Sequence, residues 1–222
     1  GKAYITLQEN NAIAVLDLTS RTFDGIYSAG FEDYGVTPVD IDKKDDAYAP
    51  KTYGGLMGIR MPDAIAAFQA EGKTYLVTAN EGDASEWEEY ANITTVVTGT
   101  VENDGETTNV EVEVLDKTKL DGLPAVAEDT NFLLGGRSFS LYEVTENGLT
   151  QVFDSGSDFE RITAQAYPDH FNASNKNNKL DSRSDAKGPE PESVTVNLVD
   201  GKPYAYVGLE RIGGVMSTTS LP

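Results

Sequence analysis

Apolar and polar positions alternate with a period of two in many short runs, and most runs stop at a polar turn carrying glycine. Ala64–Phe68 and Tyr75–Ala79 flank one such turn, which ends in Gly72-Lys73. Ser193–Leu198 and Tyr204–Leu209 flank another, ending in Gly201-Lys202. Each pair predicts a β-hairpin, because glycine supplies the positive φ that a tight turn between twisted strands requires. Further strands are expected at Ala12–Leu18, Ser138–Val144, Thr150–Asp154 and in the final "GGVMSTT", with a turn at Glu146-Asn147-Gly148. Two β-branched runs around Asn103-Asp104-Gly105 predict one more hairpin, residues 92–116, protruding from the main body. Helical periodicity is scarce. Gly82–Ala91 reads as the start of a short helix capped by Asp83 or Ser85, and "DFERITAQAYPDHF" holds one or two helical turns.

The hairpins recur. Pro62–Asp83 aligns without a gap on Pro191–Ile212 at an offset of 191 − 62 = 129. Pro, Gly-Lys, Tyr and the closing Glu81 and Glu210 all match, and Asp63 matches Glu192. "GKAYITLQENN" at Gly1 is a partial third copy that brings Glu9, one residue tighter. Repeated hairpins with inserts between them predict an all-β repeat architecture. A β-propeller, with four-stranded blades around a channel, fits this spacing; a β-sandwich with a chance pairing of hairpins is the alternative. The reading is a partial propeller of about three to four blades with long loop insertions. Residues 1–222 form a single domain in this reading, a piece of a larger propeller whose open edges need the remainder, or another copy of the chain, to cover them. Gly1 opens directly into a strand pattern, as expected of a processed or trimmed chain.

Charge narrows the partners. Lys and Arg number 17 against 37 Asp and Glu, a net charge of −20. A field of that sign repels nucleic acid and anionic membranes and attracts cations. There are no cysteines, which excludes disulfides, thiolate metal sites and a cysteine nucleophile. No apolar run is long enough to cross a membrane as a helix.

The acids have a pattern of their own. In an antiparallel hairpin, the residue entering the first strand lies beside the residue leaving the second. Asp63 is thereby expected beside Glu81, and Glu192 beside Glu210, with Glu9 joining them at one rim. Clustered carboxylates repel one another unless something positive intervenes. Ca²⁺ suits such an oxygen-rich set, with Mg²⁺ as the alternative. Internal ion pairs are the competing expectation, since Arg60, Arg161 and Arg211 lie close by in sequence. The oxygen-rich stretch "NASNKNNKLDSRSDAKG", Asn172–Gly188, has only loose calcium-loop spacing at Asn175, Asn177 and Asp181, and reads as a plain polar loop.

Taken together, "PDAIAAF", "GKTYLVTANEGDA", "GGRSFSLYEV", "VFDSGSDFERITA", "FNASN", "DSRSDAKGPEPESV" and "YVGLERIGG" resemble the choice-of-anchor family of bacterial surface proteins. That family includes relatives of the mesenchyme-specific cell-surface glycoprotein, and its members are often labelled alkaline-phosphatase-like. The resemblance implies a secreted or surface-displayed propeller. Family motifs and the internal repeat agree at Asn80, Glu81, Asp83, Glu192 and Glu210. With Asp63 from hairpin geometry, these make the expected metal set.

Two functions follow as expectations. The first is an extracellular binding or structural module with a calcium site at its rim. The second is a metal-dependent phosphoesterase, alkaline-phosphatase-like or phytase-like, in which Arg137, Arg161, Arg183 or Arg211 meets phosphate. No catalytic residue is assigned. The sole histidine, His170, cannot build a multi-histidine metal site, and neither a G-x-S-x-G elbow nor a P-loop is present.

Overall fold

The computed structural model describes residues 1–43, 45–85, 87, 91–103, 106–119, 129–218 and 221. Three antiparallel meanders make up most of it. The first is β1 (Lys2–Leu7), β2 (Ala12–Asp17) and β3 (Thr22–Ser28), in that order. The second, in spatial order, is β6 (Ile65–Ala70), β7 (Lys73–Asn80), β11 (Ser138–Thr145) and β12 (Gly148–Asp154). The third is β13 (Pro191–Val199), β14 (Lys202–Leu209) and β15 (Gly214–Ser217). A smaller sheet joins β4 (Phe31–Asp33) and β5 (Leu56–Ile59), which precede the second meander, to β10 (Asn131–Leu134), which lies between its β7 and β11, with β5 and β10 parallel. The protein is all-β apart from short helical turns and one α-helix among the described residues, α1 (Asp158–Ala166). No described sheet closes on itself.

Both repeated hairpins form, in the same register. Ala70 faces Lys73 across the turn of the first, and Val199 faces Lys202 across the second. Their two-residue turns are Glu71-Gly72 and Asp200-Gly201, with φ of 50° and 77° in each. Positive φ at both central positions gives the type I′ turn whose twist matches its strands.

The second meander is packed on both faces. Tyr75, Val77 and Ala79 of β7 bury against Ala205, Val207 and Leu209 of β14, with Phe139, Leu141 and Phe159 completing that core. Leu76, on the opposite face, packs with Ile13 and Tyr142 toward the first meander. A strand covered on both sides loses the alternation of exposed and buried positions, which explains why Tyr75–Asn80 is buried without a break. The strand β14 is covered on one side and alternates.

The hairpin of β8 (Ile93–Asn103) and β9 (Glu106–Leu115) buries Val110, Val112 and Val114 against Tyr34, Val39, Ile41, Leu56 and Leu133. Its turn, with Asp104 and Gly105, lies outside the described residues. So does much of the helix expected over Gly82–Ala91, of which Gly82–Ser85 is irregular. The second expected helix is α1, followed by a 3₁₀ turn at Pro168–His170.

Two buried arginines tie these sheets together. Arg137 is fully buried; its guanidinium donates to Glu160 (2.7 Å) and to the carbonyls of Asp40 (2.7 Å), Ser184 (2.7 Å) and Ala186 (2.8 Å). Arg60 donates to Asp154 (2.9 Å) and Glu32 (3.0 Å), and pairs with neither Asp63 nor any other rim acid. Breaking a buried pair leaves an uncompensated charge. Arg137→Met is therefore expected to lower unfolding free energy by about 3–5 kcal/mol, read by urea denaturation. Two glycines give a contrast in the same assay. A Cβ on Gly72 meets nothing within 4 Å, so Gly72→Ala is expected to cost only the left-handed backbone, about 1–2 kcal/mol. On Gly135 it would stand 2.2 Å from the Glu81 carbonyl, so Gly135→Ala is expected to cost clearly more.

Candidate functional site

β7 and β14 run in equivalent positions and end together, so the residues that follow them, Glu81 and Glu210, leave at one rim. Glu190 reaches the same place from the lead-in to β13, held by the Glu210 amide donating to its carbonyl at 2.9 Å. Carboxylate oxygens of Glu81, Glu190 and Glu210 lie within 4.8 Å of one another. Glu190 is fully buried, and the other two are half-buried.

Three cations are interleaved with these acids. Arg211 pairs with Glu190 (2.8 Å) and Glu210 (3.1 Å). Lys187 pairs with Glu81 (3.2 Å) and Glu190 (3.3 Å) and donates to the Gly82 carbonyl (2.8 Å). Arg183 also donates to Glu190. The first meander joins through Gln8, whose amide donates to Glu81 at 2.9 Å. Burial pushes the Glu190 carboxyl up, but Arg211, Lys187 and Arg183 outweigh it and bring it down to about 2. Burial raises Glu81 against Lys187 and Gln8, and raises Glu210 with help from adjacent Glu190. Three carboxylates against three cations make a neutral lattice joining all three meanders.

The expected metal set divides. Glu81 and Glu210 converge, as the equivalence of the two repeats expects. Asn80 does not join them. It is fully buried inside the second meander, its amide donating to Ser138 (3.0 Å) and Ser140 (2.8 Å) and its oxygen accepting from Thr78 (2.8 Å). Asp63, Asp83 and Glu192 do not join Glu81, Glu190 and Glu210 and do not converge as closely as those three among the described residues, though the charges of the last two reach Asp63. Burial raises the Asp63 carboxyl, and the charges of Glu192 and Asp83 add to it against Lys187. Among the described residues, no cation lies within salt-bridge distance of these three. Beside them opens a cavity of about 480 Å³, lined among others by Glu9, Asp83, Trp87, Arg183, Lys187 and Arg211. Trp87 is 78% exposed.

Of the arginines considered for phosphate, Arg137 is buried and paired with Glu160, and Arg161 is held by Asp158 (2.7 Å). The repeat could not single out Glu190, because the position 129 residues earlier is Met61. Both have positive φ, 46° at Met61 and 50° at Glu190, so the backbone repeats where the side chain does not. Lys187 and Arg183 carry no sequence signal beyond a basic residue in a polar loop.

A family model described as the choice-of-anchor I domain matches residues 1–219. The mesenchyme-specific cell surface glycoprotein of Strongylocentrotus purpuratus is 32% identical over 235 residues, covering 86% of this chain and 29% of that protein. Gigasin-3a of Magallana gigas is 37% identical over 92 residues, covering 39% of this chain and 32% of that protein. The aligned part thus spans about a third or less of each of these relatives.

Glu190 sets an acid limit to the lattice. Its carboxyl is lower in the folded than in the unfolded chain, so its contribution is full above the ordinary carboxylate range. That contribution is lost as pH falls toward about 2. Glu81 and Glu210, being raised, act in the opposite sense. The Tm of the wild-type protein is expected to fall more steeply between pH 5 and about 3 than that of Glu190→Gln. At neutral pH the variant is expected to be less stable by about 3–5 kcal/mol, since three cations lose their shared partner.

Proposed function

We propose that this chain, which belongs to the choice-of-anchor I domain family, is a cell-surface binding or structural module whose rim takes up a divalent cation. The three meanders are read as consecutive blades of a propeller. Two observations support this: the hairpins 129 positions apart share one register, and β13 packs against β6 and β7 while β1 packs against β6. The remaining blades, or another copy of the chain, would cover the open sheet edges, where Phe23, Ile26 and Val215 lie exposed. A surface location is carried over from the family and from the sea-urchin protein's description as a cell surface glycoprotein. It accords with the absence, among the described residues, of any helix long and apolar enough to span a membrane.

The observation that carries the cation reading is the outer group of Asp63, Asp83 and Glu192. The charges of Glu192 and Asp83 act on the Asp63 carboxyl, and none of the three forms an ion pair among the described residues, although Lys187 opposes them from further off. Oxygen donors of this kind suit Ca²⁺ over Mg²⁺, because calcium accepts irregular and partly aqueous coordination. The inner Glu81, Glu190 and Glu210 are already neutralised by Arg183, Lys187 and Arg211, so a metal there would have to displace an ion pair. The same pairing disfavours the phosphoesterase reading, which needs a cation free to meet phosphate.

Trp87 is the sole tryptophan and lines the rim cavity, so it reports on this site. Terbium luminescence sensitised through Trp87 is expected in the wild-type protein, to be quenched by excess Ca²⁺ and lost in the Asp63→Asn/Glu192→Gln double variant. Luminescence that survives in that variant would overturn the rim site. Turnover of an aryl phosphate, abolished by chelator, would move the function to the phosphoesterase.

A further inference from the structure

Two cavities adjoin at Glu9 and Leu134, which line both, and they differ in character. The cavity beside Trp87 is polar, with Glu9, Asp83 and Glu113 among its lining residues. The other, of about 440 Å³, is floored by Phe31, Ile59, Met61, Phe132 and Leu134. Hydrogen bonds fix the walls. At the apolar end, the Asn11 side chain donates to the Gly30 carbonyl (2.9 Å) and accepts from the Met61 amide (2.9 Å). At the polar end, the Ser85 amide donates to Asn92 Oδ1 (3.0 Å), and the Asn92 amide donates back to the Ser85 carbonyl (3.1 Å). That exchange ties the segment leading to Trp87 to the start of β8.

Each cavity carries one open aromatic ring. Trp87 is 78% exposed. Phe31 is 46% exposed, its ring 5.7 Å from that of buried Phe132. An indole left in water forgoes a large gain from burial, and its face attracts cations. The charges lining the Trp87 cavity leave one sign over. Arg183, Lys187 and Arg211 are each engaged by Glu81, Glu190 or Glu210. Glu9, Asp83 and Glu113 form no ion pair among the described residues, and the chain as a whole carries −20. An anion entering here would meet repulsion, whereas a cation is drawn in.

We propose that the two cavities form one site for an amphiphilic organic cation, with a substituted ammonium group against Trp87 and its apolar substituent over Phe31 and Phe132. Glu9, Asp83 and Glu113 supply the counter-charge. Methyl groups on an ammonium spread its charge and leave little hydration to lose, so the face of an indole can replace the water. A concave apolar pocket with a few polar groups at one end is the usual form of a small-molecule site. The site is separate from a metal held by Asp63 and Glu192, neither of which lines either cavity.

The test uses the full chain carrying Asp63→Asn and Glu192→Gln, with chelator present, so that failure of the metal reading leaves it untouched. By isothermal titration calorimetry, choline is expected to bind, and its neutral isostere, with a quaternary carbon in place of the nitrogen, is not. Adding Trp87→Leu is expected to weaken choline about tenfold, and Trp87→Tyr to recover part of the loss. Hexyltrimethylammonium is expected to bind more tightly than tetramethylammonium. Phe31→Ala is expected to remove that advantage and leave tetramethylammonium unchanged. Both aromatic residues are exposed, so these variants are expected to fold. Choline that fails to bind, binds no better than its isostere, or binds unchanged in Trp87→Leu overturns the site. A hexyl advantage that survives Phe31→Ala overturns the placement of the apolar group.

Discussion

The arrangement depends on one buried guanidinium. Arg137 sits at the entrance to β11 with φ of 55°, and its own amide donates to the Asn80 carbonyl. Its side chain then reaches the loop at Asp40, the helix at Glu160 and the chain at Ser184 and Ala186. Those four places belong to the loop between β4 and β5, the helix after the second meander, and the approach to the third. A planar fork of donors can hold several acceptors at fixed angles, which a lysine could not do. The residues that follow Ala186 are Lys187, Gly188, Pro189 and Glu190, so the same anchor sets where the rim lattice begins.

Two acid populations with different physics follow from that geometry. Glu190 is buried and surrounded by three cations, and its charge acts as structural adhesive between sheets. Asp63, Asp83 and Glu192 are more exposed and form no ion pair among the described residues. The distinction does not come from residue type, which is carboxylate in both. It comes from the loop of residues 183–187 supplying Arg183 and Lys187 to the inner acids and leaving the outer ones bare. A net charge of −20 is thus unevenly compensated, with the arginines and Lys187 gathered on the buried and half-buried acids.

Backbone approach is as tightly constrained as charge. Gly82 and Gly135 face each other, both with positive φ, and a Cβ on either would collide with the other's chain. This crossing holds the exit of β7 against the entrance of β11 just below Glu81. It brings the long insertion between those two strands back to the point where it left, so the second meander keeps its order despite β8, β9 and β10 lying between its halves in sequence.

Local patterning is enough for the two repeated hairpins, the hairpin of β8 and β9, the strands β2, β11, β12 and β15, and the shared rim of Glu81 and Glu210, whereas β3, β4, β5 and β10 carry no comparable signal. Period-two patterning and Gly at a type I′ turn are local signals, and two antiparallel strands of equal length leave little choice about which ends meet. Tertiary structure alone decided the rest. Met61 and Glu190 occupy matching backbone positions, yet only Glu190 finds three cations, because Arg183, Lys187 and Arg211 arrive from loops without a periodic signature. Asn80 shares the motif with Glu81 but alternates to the other face of its strand and bonds to Ser138 and Ser140. The parallel pairing of β5 with β10, and the hydrogen bond from Arg137 to the Asp40 carbonyl, join residues separated by many tens of positions. Contacts of that range are fixed by how sheets and loops pack, which no short run of residues encodes.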